Sequence, residues 1–181
     1  MSFGIVLRFE ESLAQRVRTH TQMLYRACGG VDLVGLKVPA HLTLTLGEDP
    51  APKRLAAEVE AAFAGVQPFT LDVPAVGTFG GDGGVVFLAP ATTRQLLDVH
   101  AIAMGAFARA GADCSPLYRP GAWCPHITVG HGVEIARVGG AVDRARALVP
   151  LEARVVSIDL VRTDLEVRAG FDVLTSCRLG A

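Results

Sequence analysis

The sequence predicts a mixed fold of strands and helices built on a duplicated unit, with a polar cleft between the two copies. Three observations carry that expectation. Segments of strand-like alternation and of helix-like spacing succeed one another along the chain. The order motif strand, glycine, helix, strand, loop, strand occurs twice, at an offset of 85 positions that sets His126 against His41 and Phe171-Asp172-Val173 against Val86-Phe87-Leu88. Each copy carries one His-x-Thr-x segment with apolar residues at x: His41-Leu42-Thr43-Leu44 and His126-Ile127-Thr128-Val129.

Residues 3–9 alternate well enough for a strand. Residues 10–27 follow as a helix, with Leu13, Val17, Met23, Leu24 and Ala27 at roughly helical spacing before the Gly29-Gly30 stop. Residues 33–38 and 41–46 read as short strands, the second ending at Gly47. A helix over 52–64 is opened by Pro52, closed by Gly65, and places Leu55, Val59, Ala62 and Phe63 on one face. Residues 69–76 and 85–89 are strand-like, and the glycine-rich stretch 77–84 between them predicts a hairpin or a mobile loop. In the second half a helix over 92–110 leads into a loop through Pro116, Pro120 and Gly121. Strand 123–129 then carries the second motif. A helix over 134–148 and strands over 155–162 and 171–177 complete the chain.

Composition sets limits on function. At 181 residues and 50% apolar, the chain can bury a substantial core. Its 17 basic and 18 acidic residues leave a net charge of −1, so no global positive field exists to hold a long polyanion. A small or terminal nucleotide group is the better fit. Cys28, Cys114, Cys124 and Cys177 show no Cys-x-x-Cys spacing and read as free thiols of a reducing compartment. The first residues lack a basic leader with a long apolar run, and no uncharged stretch is long enough for a membrane helix, so a cytoplasmic location is expected.

In an extended strand, side chains two apart leave the same face. Each motif therefore presents an imidazole beside a hydroxyl while its aliphatic neighbours point into the core. A lone His-x-Thr is more often structural packing; two in equivalent places of a repeat form one site of two acid/base groups and two hydroxyl donors. Histidine's ordinary pKa lets one copy be neutral and the other charged near neutral pH, which suits a small anion with a proton to move on each side. Thr45 shares strand parity with His41 and Thr43 and is expected in the cleft, opposite its counterpart Gly130. Tyr118 and Arg119, in a proline-bounded loop, offer an aromatic face and a guanidinium for a base and a phosphate. Phe79, flanked by hinge-like glycines that would let it move, is a candidate on the substrate side, and Trp123 reads as packing. His20, His100 and His131 lack the motif and are expected on surfaces or helix faces. Lys37 shares cleft parity only if Pro39 leaves its strand unbroken. No carboxylate closely flanks either motif, His126 and His131 are spaced wrongly for one helix face, and threonine is a poor zinc partner, so no metal is expected.

The segments Val38-Pro39-Ala40-His41-Leu42-Thr43-Leu44 and Leu117-Tyr118-Arg119-Pro120-Gly121-Ala122-Trp123-Cys124-Pro125-His126-Ile127-Thr128-Val129 resemble the two motif regions of the two-histidine (2H) phosphoesterases. The branch they resemble is that of the bacterial 2′-5′ RNA ligases and RNA 2′,3′-cyclic phosphodiesterases. Ala40 stands where many relatives have proline, and Val129 where leucine is commoner. The resemblance implies a bilobal α+β fold, residues 1–181 as a single domain of two pseudo-symmetric lobes with interleaved chain segments. Each lobe would have a largely antiparallel sheet with helices outside, and the central cleft would hold His41, Thr43, His126 and Thr128. It also implies metal-independent hydrolysis of 2′,3′-cyclic phosphates on RNA ends or small nucleotides to 2′-phosphates; no cofactor and a monomeric state are expected. Alternatives are 2′-5′ RNA ligation, the reverse chemistry at the same site, and a non-catalytic module that binds nucleotides or RNA ends. Which histidine is acid and which is base stays open.

Overall fold

A computed structural model describes residues 2–48, 51–81, 84–163 and 170–180. Its strands form two antiparallel sheets. The larger runs β3 (Phe69–Val73), β8 (Leu151–Thr163), β1 (Ser2–Phe9), β2 (His41–Glu48), β6 (Asp113–Cys114). In it β9 (Asp172–Arg178) continues the β3 edge of β8. The smaller runs β4 (Ala75–Thr78), β5 (Val86–Ala89), β7 (Ile127–Gly130). Helices α2 (Pro52–Phe63) and α3 (Arg94–Ala110) pack on the large sheet, α1 (Glu11–Cys28) and α4 (Ile135–Ala145) on the small one. The first motif strand shares its sheet with β8 and β9 from the second half. The second motif strand shares its own with β4 and β5 from the first half, and β2 meets β7 where the sheets adjoin.

Local chemistry explains most of these elements. Thr93 caps α3 by accepting the Leu96 N–H at 3.2 Å, and Gly111 ends it in the left-handed conformation at φ 79°. The apolar x positions of both motifs enter the core as expected: Leu42, Leu44, Ile127 and Val129 are buried. Each such side chain is worth about 1.5–3 kcal/mol relative to exposure.

Four sequence expectations are corrected. Residues 33–38 form turns, not a strand, because the Asp32 carboxylate accepts the Gly35 N–H at 2.8 Å and the Asp32 carbonyl accepts the Leu36 N–H at 2.9 Å. This local capture outweighs β propensity, and it leaves Lys37 exposed at φ 58°. The expected strand 69–76 is two strands in different sheets, since Pro74 has no N–H to donate and hands the chain from one sheet to the other. Strand 123–129 begins only at Ile127, after Pro125, so His126 stands at the mouth of β7. The last part of helix 134–148 is a 3-10 turn, Arg146–Leu148. The glycine-rich stretch closes a hairpin: Thr78 Oγ1 donates to the Val85 carbonyl at 2.7 Å and Phe79 N–H to the same oxygen at 3.3 Å. Asp82 and Gly83 of that stretch lie outside the described residues. Among the described residues, no helix is long and apolar enough to cross a membrane.

Candidate active site

Both motif strands carry a one-residue bulge at the same place. On β2, Val6 pairs with Thr43 and Ile5 with Thr45, leaving Leu44 as the extra residue. On β7, Phe87 pairs with Thr128 and Val86 with Gly130, leaving Val129 extra. A bulge reverses the facing of everything beyond it. His41 and Thr43 face the cleft, whereas Thr45 turns into the core, fully buried, with its Oγ1 3.1 Å from Cys114 Sγ. The parity expectation for Thr45 is thus overturned by the bulge.

The two imidazoles are held alike. His41 Nδ1 donates to the carbonyl of Pro39 at 2.8 Å, and His126 Nδ1 donates to the carbonyl of Cys124 at 2.8 Å. Because a carbonyl can only accept, each Nδ1 carries the proton, and in the neutral ring Nε2 is left as the basic atom. His41, Thr43, His126 and Thr128 all line one cavity of about 600 Å³. Burial pulls the His41 pKa down from 6.5 to about 4; the Pro39 carbonyl opposes this, and the charges of His126 and Arg8 reinforce it. Burial likewise lowers the His126 pKa, against the pull of its Cys124 hydrogen bond.

Aromatic rings flank each histidine. Phe171, just before β9, lies 4.8 Å from the His41 ring, and Phe79 meets His126 edge-on at 4.9 Å and 90°. Phe79 rests in turn on Phe87 at 4.4 Å. Phe87 can lie there because its cross-strand neighbour is Gly77, where a Cβ would come 2.5 Å from the ring. Phe79 thus lines the cavity beside His126.

Tyr118 also lines the cavity, whereas Arg119 does not. The Tyr118 ring is largely buried at the cavity wall, and its hydroxyl is hydrogen-bonded to the Thr43 side chain. Burial pushes its pKa up to about 12, so it stays a phenol. The Arg119 guanidinium lies outside the cavity lining, against the Cys114 carbonyl at 3.4 Å and the Asp113 carboxylate at 3.8 Å, because its 3-10 turn is tied to β6. Trp123 is packing, but packing with a purpose. Its Nε1–H donates to the Thr43 carbonyl at 3.0 Å while its ring stacks on His100 at 4.0 Å. His100 is buried, not superficial: its Nε2 donates to the Tyr118 carbonyl at 2.9 Å, and burial lowers its pKa. His131 also departs from expectation by lining the cavity, as do Arg18 and Thr21 of α1 and Thr163 of β8. None of these four lies in a repeated motif, so only the fold brings them in. No carboxylate among the described residues lines the cavity, which suits an anionic ligand. Among the described residues, no three His, Cys, Asp or Glu side chains gather as a metal site.

A two-sheet α+β fold with paired His-x-Thr strands on one cavity defines a class of two-histidine phosphoesterase. The profile of the 2′-5′ RNA ligase superfamily matches residues 9–166, and the chain belongs to that family. Among solved structures it is similar to TT0787 of Thermus thermophilus, with TM-score 0.68 and 21% identity over 99% of this chain and 98% of that one. It is also similar to Escherichia coli LigT complexed with 3′-AMP, with TM-score 0.65 and 17% identity over 99% and 98%. Kluyveromyces marxianus Usb1 is more distant, with TM-score 0.53 and 11% identity over 98% of each chain. No curated protein matches by sequence.

Proposed function

We propose that this protein is a metal-independent phosphodiesterase that opens 2′,3′-cyclic phosphates of small nucleotides or RNA ends to 2′-phosphates. The observation that carries this reading is the matched pair of imidazoles, each with Nδ1 committed to the carbonyl two residues back and each lining the same cavity. One Nε2 takes a proton from water as its oxygen attacks phosphorus. The bond to the ribose 3′ oxygen breaks, and the other imidazole, protonated, returns a proton to that oxygen. The Thr43 and Thr128 hydroxyls donate to the non-bridging oxygens as charge builds there. Burial biases both histidines toward the neutral form, and the charge of a bound phosphodiester draws one of them to the protonated form.

Residues 1–181 act in this reading as one domain of two interleaved lobes, with the reacting group between them. Solved complexes of E. coli LigT, a protein of similar fold, with 3′-AMP, ATP and NADP+ support a ligand of nucleotide size and chemistry. The near-neutral surface favours small or terminal cyclic phosphates in a cytoplasmic setting over ligation of two long RNA ends.

The test is incubation with nucleoside 2′,3′-cyclic phosphates and a cyclic-ended oligoribonucleotide in excess chelator, with products assigned by phosphorus NMR. We expect 2′-phosphate products and a loss of roughly 10²–10⁴-fold in kcat for His41→Ala and His126→Ala. No conversion of either substrate, or full activity in both variants, overturns the mechanism.

A further inference from the structure

A polar cluster lies beside the proposed site without lining its cavity. Arg8 on β1 is the direct cross-strand partner of His41 on β2, so the two side chains leave the same face of the sheet. On the other side of β1, Arg8 Nη1 meets Asp159 Oδ2 of β8 at 3.2 Å. The Asp159 carboxylate is 6% exposed and accepts two more hydrogen bonds on Oδ1, from Ser157 Oγ at 3.2 Å and from Ser176 Oγ at 2.6 Å. Ser176 stands opposite Asp159 on β9, so three strands converge on this one carboxylate. A buried ion pair contributes little net stability compared with an apolar pair of the same size, which leaves the purpose of this one to be sought in what Arg8 touches next.

We propose that Arg8 is a positioning residue for His41: pinned by Asp159, its guanidinium is a fixed positive charge that adds to the burial of the neighbouring imidazole in favouring its neutral form. Arg8 stands directly opposite His41 on the neighbouring strand, and Asp159 lies one strand further, on β8. Of the two residues Arg8 is thus the nearer along the sheet, and its carboxylate partner offsets only part of its charge at the imidazole. His126 has no such neighbour among the described residues; Phe79 and Phe87 flank it instead. The remaining groups around His41 are His126 ahead of β7, Arg18 and His131 across the cavity, the uncharged Phe171, and the phenol of Tyr118 bonded to Thr43. The downward pull of Arg8 on the His41 pKa agrees with this geometry.

This deepens the reading of His41 as an acid/base group, yet its test needs no turnover. The ring carbons of the histidines are followed by NMR as the ligand-free protein is titrated, in the wild type, Arg8→Lys, Arg8→Gln and the double variant Arg8→Gln/Asp159→Asn. The double variant removes the ion pair whole and leaves no unpaired buried charge, so it serves where the single one does not fold. We expect its His41 midpoint to rise by a fraction of a pH unit while that of His126 moves far less, with Arg8→Lys staying near the wild type. An unmoved His41 midpoint in the folded double variant, or equal movement of both histidines, overturns the proposal. Absence of cyclic phosphodiesterase activity would bear on the proposed function alone.

Discussion

Acidification should destabilise this protein through His41, and replacing that side chain should remove much of the effect. In the folded chain the His41 imidazole takes a proton only near pH 4, against a reference value of 6.5. Between those two values the unfolded chain holds the proton and the folded chain does not. The free energy of unfolding therefore falls as the pH falls. The stabilisation is fully present above pH 6.5 and is lost as the pH drops toward 4. About two and a half pH units at about 1.36 kcal/mol each set an upper bound of about 3 kcal/mol. The ring is half-buried and reached by water from the cleft, so we expect about 2 kcal/mol. Urea unfolding of the wild type and of His41→Gln at pH 7.5 and pH 4.5 measures it, because the carboxylates that titrate in the same range cancel in the difference. The wild type should lose about 2 kcal/mol more than the variant over that interval. Equal losses in the two proteins would refute the burial of a neutral His41.

Thr45→Val should cost about 1 kcal/mol of stability through its lost contact with Cys114, yet leave kcat/KM within about twofold, as measured by thermal unfolding and initial rates. A large loss of activity would return Thr45 to the cleft. Tyr118→Phe should lower kcat by about 2–10-fold with little change in KM, because it releases the Thr43 hydroxyl while keeping the ring in place. In a Thr43→Val background the same change should have no further effect. Since burial lowers both histidine pKa values, kcat/KM should follow a bell with its maximum on the acid side of pH 6.5; a maximum at alkaline pH counts against paired histidines.

The parts of the site legible in the sequence are those set by nearest neighbours. His41 with Thr43, and His126 with Thr128, are separated by a single residue, and over so short a run the alternation of an extended chain suffices to put each pair on one face. One residue further the rule fails. Leu44 and Val129 are bulged, and whether a strand bulges depends on the register of its partner, β1 in one case and β5 in the other. Simple alternation misplaces Thr45 for that reason alone. The turn at Asp32 escapes the apolar pattern because one carboxylate decides the hydrogen bonding of residues 33–38. The break at Pro74 is hidden because both of its sides have strand character, only in different sheets.

By itself the sequence determined the repeat, the two His-Thr pairs, the alternation of strands and helices, and the absence of a charge imbalance that would demand a long polyanion. Each of these is a property of short segments or of composition, and needs no knowledge of what folds against what. The tertiary structure decided the rest: that β2 and β7 meet, that Phe171 covers His41 and Phe79 covers His126, that the Tyr118 hydroxyl bonds to Thr43, and that Arg8 and Asp159 stand behind His41. These contacts join residues as far as 151 positions apart. They arise because burying the apolar faces of two sheets under four helices brings distant polar side chains to the one surface that the core does not consume.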